Sequence, residues 1–347
     1  MPESCDVVVI GGGQAGLAAG YYLRRAGLSH VILDAASDAG GAWQHYWHSM
    51  RLFSPAEYSP LPGWGMPRQE GEEFPTAGHV VDYLRAYEKR YDLPVRRPVR
   101  VRVVRPAGER LAVEAEAGTW VAGYVISATG TWERPYVPDV PGREEFAGRQ
   151  LHTVHYTSPE EFRGQRVVIV GGGNSAAQIL AEVSRVAETT WVTLRPPRFM
   201  PEDVDGRVLL GVATRKAAGG AAASVSDLGD IVMVPTVRDA RHRGVLHARP
   251  MFARLTAYGV RWPDGTEQPC DAVIWCTGFR PNLAHLAPLL PGWQEGEVAT
   301  EGTRSVDEPR LYLLGYGDWT GPASATLVGA GRTAKATVAD ITARLGG

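Results

Sequence analysis

The chain of 347 residues contains only three cysteines, Cys5, Cys270 and Cys276. None lies in a C-x-x-C or C-x4-C spacing, so the sequence excludes a redox dithiol and a thiolate metal site. A disulfide framework is equally disfavoured. The simplest interpretation of each cysteine is a small apolar residue beside a strand, and no metal site is predicted.

Charge imbalance and long apolar runs are also lacking. The net charge is −2, which indicates neither nucleic acid nor an anionic membrane surface as a partner. No apolar run approaches the roughly 18 residues that a transmembrane helix needs. A buried-strand pattern begins by Asp6, so no signal peptide is expected. We expect a soluble, cytoplasmic protein, and a homodimer is the default expectation for its assembly.

The chain does contain an internal repeat. CDVVVIGGGQAGLAAGYYLRRAGLSHVILDA, residues 5–35, resembles QRVVIVGGGNSAAQILAEVSRVAETTWVTLR, residues 165–195. Each stretch has the pattern of a strand, a glycine turn, an amphipathic helix and a strand. A second pair, YVISATG at 124–130 and AVIWCTG at 272–278, follows in each half. The repeat predicts an α/β fold with two Rossmann-like dinucleotide-binding domains.

The predicted first domain covers residues 1–155 and 281–347, and the second, inserted domain covers 162–280. The C-terminal strand and helix have no repeat partner, so we expect them to complete the first domain. Residues 131–164 have the composition of a linker, and 211–229 that of a mobile excursion.

Smaller elements are also predicted. In the first half VRVVR and RLAVEAE are the strands of a hairpin-like segment. Their counterparts in the second half are RLTAYGVRW, residues 254–262, and the residues after the Asp264-Gly265 turn. A helix is predicted from Thr76 to Tyr91, after a long aromatic loop at 36–75.

The first glycine turn, GGGQAG, supplies Gly11, Gly13 and Gly16. The first glycine makes the tight turn, the second admits a pyrophosphate, and the third lets helix and strand pack closely. The phosphates then lie at the positive N-terminus of the helix. Asp34 closes the second strand and is placed to accept hydrogen bonds from ribose hydroxyls, which favours FAD or NAD over NADP.

The second turn, GGGNSA, repeats the three positions as Gly171, Gly173 and Ala176. At the position matching Asp34 the repeat places Leu194, and Arg195 follows. Loss of the carboxylate removes repulsion of a 2′-phosphate, and an arginine adds a charge-assisted partner. We therefore predict that the second domain binds NADPH, with some use of NADH compatible with it. The alternative is that Arg195 is a solvated surface charge.

One FAD domain and one NADPH domain occur together in several enzyme classes, and the cysteines discriminate among them. Disulfide reductases of this kind need a dithiol facing the flavin, and peroxide-reducing relatives need one cysteine. This chain has GGAW at residues 40–43, where the flavin disulfide reductases usually carry their pair. Electrons must leave the flavin another way, and oxygen is the obvious acceptor.

The stretch EFAGRQLHTVHY places Phe146, Gly148, His152 and Tyr156 at spacings that fit no helix or strand period. The pattern Phe-x-Gly-x-x-x-His-x-x-x-Tyr resembles the fingerprint of the class B flavin-dependent monooxygenases at all four fixed positions. Baeyer–Villiger members carry Trp at the last position. Tyr156 therefore indicates the flavin-containing monooxygenases that oxygenate nitrogen and sulfur. GGAW, SATGTW, GGGNS, WCTGFRP and GYGDW extend the resemblance over nearly the whole chain, and it is strongest to short bacterial members such as those linked to arsenic-resistance operons.

The resemblance implies a two-domain flavoprotein similar to glutathione reductase in fold, dependent on FAD and NADPH. It implies transfer of one oxygen atom from O2, through a C4a-hydroperoxyflavin, to a small substrate that is a thioether, sulfide or amine. The cofactor carries this chemistry, so no acid, base or nucleophile is predicted. In the family the fingerprint joins the two domains and its histidine hydrogen-bonds backbone near the nucleotide, so Phe146, His152 and Tyr156 are positioning residues.

The residues expected to bind FAD are Gly11, Gly13, Ala15, Gly16, Asp34, Gly41, Trp43, Leu52, Phe53, Thr129, Asp318, Thr326 and Leu327. Phe53 is also a candidate for the substrate side. The residues expected to bind NADPH are Gly171, Gly173, Asn174, Ser175, Arg195 and Thr277.

Three alternatives remain. A flavin reductase or oxidase would pass electrons to a protein partner or release peroxide, but it has no need of the fingerprint. A Baeyer–Villiger oxidation of ketones is disfavoured by Tyr156. A nucleotide-sensing regulator without turnover is disfavoured by two complete cofactor motifs.

Overall fold

The computed structural model describes residues 2–202 and 229–346 and divides into two compact units. The first contains Met1–Gln44, Ser54–Arg134 and Arg280–Gly347, and the second contains His45–Phe53 and Pro135–Phe279. The excursion predicted at 211–229 lies, except for Gly229, outside the described residues.

The strands, in chain order, are β1 (Glu3–Ile10), β2 (His30–Leu33), β3 (Val95–Arg96), β4 (Val101–Ala107), β5 (Arg110–Ala115), β6 (Gly118–Ser127), β7 (Arg149–His152), β8 (Arg166–Val170), β9 (Glu188–Thr193), β10 (Ala248–Pro250), β11 (Arg254–Thr256), β12 (Gly259–Arg261), β13 (Glu267–Pro269), β14 (Ala272–Trp275), β15 (Thr300–Glu301), β16 (Arg304–Ser305) and β17 (Leu311–Leu313). The α-helices are α1 (Gln14–Arg25), α2 (Ala77–Arg90), α3 (Asn174–Val183), α4 (Pro235–His242) and α5 (Leu327–Leu345).

The first unit is built on a nine-stranded sheet with the order β15-β16-β17-β6-β1-β2-β3, to which the β4–β5 hairpin is added through β6. The central strands β17, β6, β1, β2 and β3 are parallel to one another. Val7, Val8 and Val9 are fully buried, as expected for a parallel strand covered on both faces. The prediction that the C-terminal strand and helix return to the first domain is confirmed, since β17 pairs with β6.

Helix α2 begins where the sequence predicts a helix. The hydroxyl of Thr76 accepts a hydrogen bond from the backbone N–H of His79, which is the standard N-cap arrangement. Val80, Leu84 and Tyr87 are fully buried along one face of the helix. The amphipathic spacing of these apolar residues therefore gave both the element and its buried face.

The second unit is built on a five-stranded parallel sheet with the order β10-β9-β8-β14-β7. Strand β7 lies inside the stretch predicted as a linker. It pairs with β14 in the register Leu151 with Ile274. The linker interpretation of 131–164 is therefore wrong for β7, because a strand of four residues has too few side chains to show a period. This pairing also places 135–155 in the second unit rather than the first, where the sequence division put them.

The segment RLTAYGVRW is not one strand. It folds as the hairpin β11–β12, and β13 adds to it to form a separate three-stranded antiparallel sheet. The strand predicted after the Asp264-Gly265 turn is confirmed as β13. The turn lies at Ala257 and Tyr258, and the Tyr258 side chain is exposed. The hairpin strands of the first half, β4 and β5, are antiparallel as predicted.

Among the described residues, the helices are all too short or too polar to span a bilayer.

Candidate functional site

Both parallel sheets carry their motif residues immediately after the carboxyl ends of their strands. In the first unit Gly11 follows β1, Asp34 follows β2 and Thr129 follows β6. In the second unit Gly171 follows β8 and Thr277 follows β14. Ligands of open α/β sheets bind in the crevice at this edge. Each unit therefore presents its own candidate nucleotide site.

The first glycine turn has two glycines required by packing and one that leaves space. Gly11 has φ +108°, and a Cβ there would come within 2.4 Å of the Ala128 carbonyl oxygen. A Cβ on Gly16 would lie 1.9 Å from the Gly11 carbonyl oxygen. At Gly13 the nearest atom to an added Cβ is the Gly41 Cα, at 3.8 Å. Within the described part of the chain no packing contact requires glycine at position 13, so the turn leaves space there for the predicted pyrophosphate.

Two residues of the aromatic loop lie against this turn. Gly41 has φ +54°, and a Cβ there would lie 2.9 Å from the Gly13 Cα. Trp43 donates its indole N–H to the Gln14 side-chain oxygen at 2.9 Å. The structure therefore brings the predicted residues Gly41 and Trp43 to the N-terminus of α1, whereas Ala15 is buried in the helix core.

Asp34 is held by an arginine that the sequence reading did not identify. Its Oδ2 accepts from the Arg97 Nε at 2.7 Å, and both side chains are about nine-tenths buried. Arg97 also donates to Glu88 at 2.8 Å. Arg97 follows β3, which is the parallel neighbour of β2, so sheet register brings it beside Asp34. A carboxylate accepts up to about four hydrogen bonds, so a ribose hydroxyl at Asp34 stays a prediction.

We expect Arg97→Ala to destabilise the protein by about 3–5 kcal/mol, because it leaves the buried carboxylates of Asp34 and Glu88 without their cation. The matched control is Arg100→Ala, since Arg100 pairs with Glu133 where both side chains are about half exposed. That change is expected to cost no more than about 1 kcal/mol. Urea unfolding of the two variants measures the difference. Equal losses would contradict the structural importance of the buried triad.

A buried polar network lies behind Thr129. The Tyr316 hydroxyl oxygen accepts from the Thr129 backbone N–H at 3.1 Å and lies 2.8 Å from the Ser127 hydroxyl. Ser127 in turn lies 3.3 Å from His285 Nε2. The Thr129 hydroxyl donates to the Asn282 carbonyl at 2.7 Å. The predicted ligand residue Thr129 thus uses its side chain to fix the turn after β6.

This network predicts a pH-dependent stability. Burial lowers the pKa of His285 from its usual 6.5 to about 4. As the pH falls from 6.5 towards 4, the unfolded chain binds a proton at this histidine that the folded chain does not, so stability falls. The loss attributable to His285 is about 2 kcal/mol at pH 5 relative to neutral pH. Urea unfolding at pH 7 and pH 5 measures it. His285→Gln should reduce the difference by that amount, and an unchanged difference would exclude His285 as its source.

The predicted flavin residues near the C-terminus have structural roles of their own. Asp318 Oδ1 accepts from the Ala323 N–H at 3.2 Å, which closes the loop before α5. Thr326 is the N-cap of α5 and accepts from the Gly329 N–H at 3.0 Å. Leu327 is buried in the core. The Gln14 side chain donates to the Ala325 carbonyl at 2.6 Å, so the N-termini of α1 and α5 meet.

The second glycine turn repeats the geometry of the first. Gly171 has φ +142°, and a Cβ there would lie 2.2 Å from the Cys276 carbonyl oxygen. Ala176, at the third position, is fully buried. At Gly173 an added Cβ would meet no atom within 4 Å. Ser175 is half-buried in the first turn of α3, beside this open space.

Asn174 does not direct its side chain into that space. Its amide donates to the Asp230 carbonyl at 3.0 Å, and its oxygen accepts from the Val232 N–H at 2.8 Å. Asn174 therefore holds the backbone of residues 230–232 beside the glycine turn, and its contact with NADPH stays a prediction.

Leu194 and Arg195 lie exposed just past β9. The Leu194 side chain is 84% exposed. Within the described part of the chain, the Arg195 side chain takes part in no ion pair or hydrogen bond. Arg198 differs, since it makes a bidentate ion pair with Asp230. Thr277 donates its hydroxyl to the Tyr136 carbonyl, so it fixes the turn after β14 as Thr129 does after β6.

The four fixed residues of the fingerprint each have a defined structural position. Phe146 is buried, and its ring lies so close to Gly148 that a Cβ there would come within 2.4 Å of it. His152 Nε2 lies 3.0 Å from the Gly278 carbonyl. Tyr156 is buried and donates to Glu182 at 3.0 Å. The spacings therefore follow packing within the second unit rather than a helix or strand period.

The tautomer of His152 follows from its two partners. Nδ1 accepts from the Val154 N–H at 3.3 Å, so Nε2 carries the proton and donates to Gly278. Burial lowers the pKa of His152, which keeps the ring neutral at pH 7. The ring holds the backbone beside Thr277 in place and has no free nitrogen to act as a base.

Leu52 and Phe53, predicted beside the flavin, belong to the second unit. Leu52 is buried, and Phe53 packs against the cluster of Met200 and Val232. Sequence reasoning missed Arg97, Glu88, Tyr316, His285 and Glu182. Of these, Tyr316 alone had a signal, since it lies inside the GYGDW motif.

Comparison with known proteins agrees with this geometry. The family model described as pyridine nucleotide-disulphide oxidoreductase matches residues 8–213. A flavin-containing monooxygenase from Stenotrophomonas maltophilia is 55% identical, with a TM-score of 0.90 and 99% of each chain covered. An uncharacterized CzcO-like oxidoreductase from Geobacillus kaustophilus is 28% identical over 98% of this chain and 99% of its own. OTEMO in complex with FAD and NADP, at 17% identity and a TM-score of 0.72, covers 99% of this chain and 86% of its own and is similar in fold.

These matches and the two glycine turns identify the class of the protein, a flavoprotein oxidoreductase with two dinucleotide-binding units. Within that class the chain belongs to the class B flavin-containing monooxygenase family, and it is an enzyme of that kind. Its cofactors are FAD and NADPH.

The residues present fit these cofactors. The open positions at Gly13 and Gly173 accommodate a pyrophosphate in each unit, at the N-termini of α1 and α3. Among the described residues, neither helix has a side chain capping its first N–H groups, so within that part of the chain these donors are open to a ligand.

Proposed function

We propose that the protein is a cytoplasmic monooxygenase that uses NADPH and O2 to place one oxygen atom on a soft nucleophile, a thioether, sulfide or amine. For a thioether the balance is thioether, O2, NADPH and a proton giving sulfoxide, NADP⁺ and water. The chemistry that FAD supplies when bound is acceptance of two electrons from NADPH and activation of O2.

The state of the cysteines is the observation that carries this proposal. All three lie in the described part of the chain, and none is bonded to another. Burial raises the pKa of Cys5 to about 11 and the pKa values of Cys270 and Cys276 to about 12. Protonated, buried thiols cannot attack a disulfide. Electrons that arrive from NADPH therefore have no protein dithiol to reduce, which supports O2 as their acceptor.

The protein's own residues bind and position. The first unit would hold FAD through the turn at Gly11, Gly13 and Gly16, with Asp34 near the ribose. The second unit would hold NADPH at Gly173, and Arg195 would pair with the 2′-phosphate. His152 would keep the Gly278 backbone in place beside the nucleotide. No described side chain is needed to move a proton on the substrate.

A test of the proposal is to supply NADPH, an aryl methyl thioether and ¹⁸O-labelled O2. We expect sulfoxide that carries the label, in an amount approaching the NADPH consumed, and little peroxide. Consumption of NADPH with stoichiometric peroxide and no sulfoxide or amine oxide would instead identify a reductase or oxidase. A labelled ester or lactone formed from a ketone, with no reaction of the thioether, would identify the Baeyer–Villiger alternative.

A further inference from the structure

Segment 45–53 is distant in sequence from the rest of the second unit, yet it is part of that unit. It begins after the GGAW motif of the flavin half and ends at Phe53. Trp47 is 97% buried, and its ring meets the Tyr156 ring edge-on at 5.9 Å between centroids. The His48 N–H points to the Thr157 carbonyl at 3.5 Å. The segment is therefore packed directly against the end of the fingerprint.

A single carboxylate joins segment 45–53 to the last residue of the fingerprint. Glu182, in the last turn of α3, accepts from the Tyr156 hydroxyl on one oxygen at 3.0 Å. Its other oxygen accepts from the Ser49 hydroxyl. Burial raises the pKa of Tyr156, so this phenol stays protonated and remains a donor. Hydrogen bonds to a charged acceptor are about twice as strong as neutral ones.

The aromatic packing gives Tyr156 a fixed place from which to donate. Its ring stacks on Phe162 at 6.1 Å with an interplanar angle of 20°, and Trp47 covers another side. A phenol held in this way can reach Glu182 only from one direction. The hydroxyl is the sole polar atom on the Tyr156 side chain, so its removal cuts the link without altering the packing.

We propose that Glu182 is a positioning residue of this enzyme: with Tyr156 and Ser49 it clamps segment 45–53 to the nucleotide-binding helix α3 and so sets the position of Phe53. Phe53 then packs against Met200 and Val232, beside the backbone that Asn174 holds. The clamp explains why the last fixed residue of the fingerprint carries a hydroxyl. Its consequence for substrate rests on the proposed function and on the sequence-based prediction that Phe53 lies on the substrate side.

The test compares Tyr156→Phe, Glu182→Ala and the double variant with wild-type holoenzyme. Amide hydrogen exchange of a peptide spanning 45–53 is the first readout, and it requires no turnover. We expect faster exchange at His48 and Met50 in both single variants, by roughly threefold to tenfold in Tyr156→Phe, which loses one hydrogen bond, and by at least as much in Glu182→Ala, which loses two. The double variant should exchange no faster than Glu182→Ala, because both changes break the same link.

Steady-state kinetics is the second readout. We expect a roughly threefold to tenfold higher KM for the thioether in each single variant, with the KM for NADPH and the FAD content unchanged. Glu182→Gln keeps an oxygen acceptor for Tyr156 and should restore most of the wild-type values. The matched control is Glu188→Ala, an exposed acid at the start of β9.

Three outcomes would overturn the clamp: unchanged exchange at 45–53, additive effects in the double variant, or an equal effect from Glu188→Ala. Failure of the proposed function is distinguishable, since it would show as absence of labelled product in the wild type while the exchange pattern still followed the clamp.

Discussion

Gly13→Ala is expected to yield a folded protein that is purified without its yellow cofactor. The position has φ −79° and ψ −171°, which alanine adopts freely. Its Cβ would make only an ordinary contact with Gly41. The added methyl group would instead occupy the space expected for the FAD pyrophosphate. An inserted methyl costs about 1–3 kcal/mol, so FAD affinity should fall by roughly tenfold to a hundredfold or more.

The second unit supplies the matched comparison. Gly173→Ala has the same geometry, with φ −109° and open space around an added Cβ. This variant should keep FAD and lose NADPH affinity by a similar factor, measured as the KM for NADPH or by titration with NADP⁺. Circular dichroism and thermal unfolding check that both variants fold. Retention of both cofactors by both variants would contradict the assignment of the two glycine turns as pyrophosphate sites.

Arg195→Ala is expected to raise the KM for NADPH by roughly tenfold to a hundredfold while leaving the KM for NADH nearly unchanged. A hydrogen bond to a charged group contributes about 1.5–3 kcal/mol, and only NADPH has the 2′-phosphate that would accept it. The kcat should change little, because the interaction is made equally before and during hydride transfer. The measurement is the ratio of kcat/KM for the two nucleotides.

Arg198→Ala is the control for this prediction, because Arg198 already pairs with Asp230. It should leave the ratio of kcat/KM for NADPH to kcat/KM for NADH as in the wild type. Leu194→Asp should lower kcat/KM for NADPH relative to that for NADH, because a carboxylate there repels a 2′-phosphate and accepts from a ribose hydroxyl. If Arg195→Ala lowered the use of both nucleotides equally, Arg195 would have no role in selecting NADPH.

The repeat was the part of the fold that sequence could predict, because it rests on local patterns. VVVI in β1 and VVIV in β8 are continuous apolar runs bounded by glycine turns, as parallel central strands require. The antiparallel hairpin of β4 and β5 and helix α2 could likewise be predicted from local residue patterns. Strand β7 could not be predicted from local patterns, because its four residues become a strand only through pairing with β14.

The residues of the candidate site also differ in whether local sequence patterns could predict them. Residues with a fixed place in a local motif, such as Gly11, Gly13 and Gly171, could be identified directly. Residues that act through long-range contacts could not. Arg97 reaches Asp34 through the register of neighbouring strands, and Glu182 reaches Tyr156 from a helix turn with no motif of its own. Asn174 is a motif residue whose hydrogen bonds to residues 230 and 232 also depend on long-range contacts, so the motif alone does not show them.

The central feature of the proposed function is that the reduced enzyme delivers oxygen to substrate rather than releasing it as peroxide. The most direct measurement is to reduce the holoenzyme with NADPH without air, mix it rapidly with oxygenated buffer, and record the absorption spectrum. We predict a long-lived species, distinct from oxidised and reduced flavin, that decays faster when a thioether is added. Immediate return of the oxidised spectrum with release of one peroxide per flavin, unaffected by thioether or amine, would contradict it.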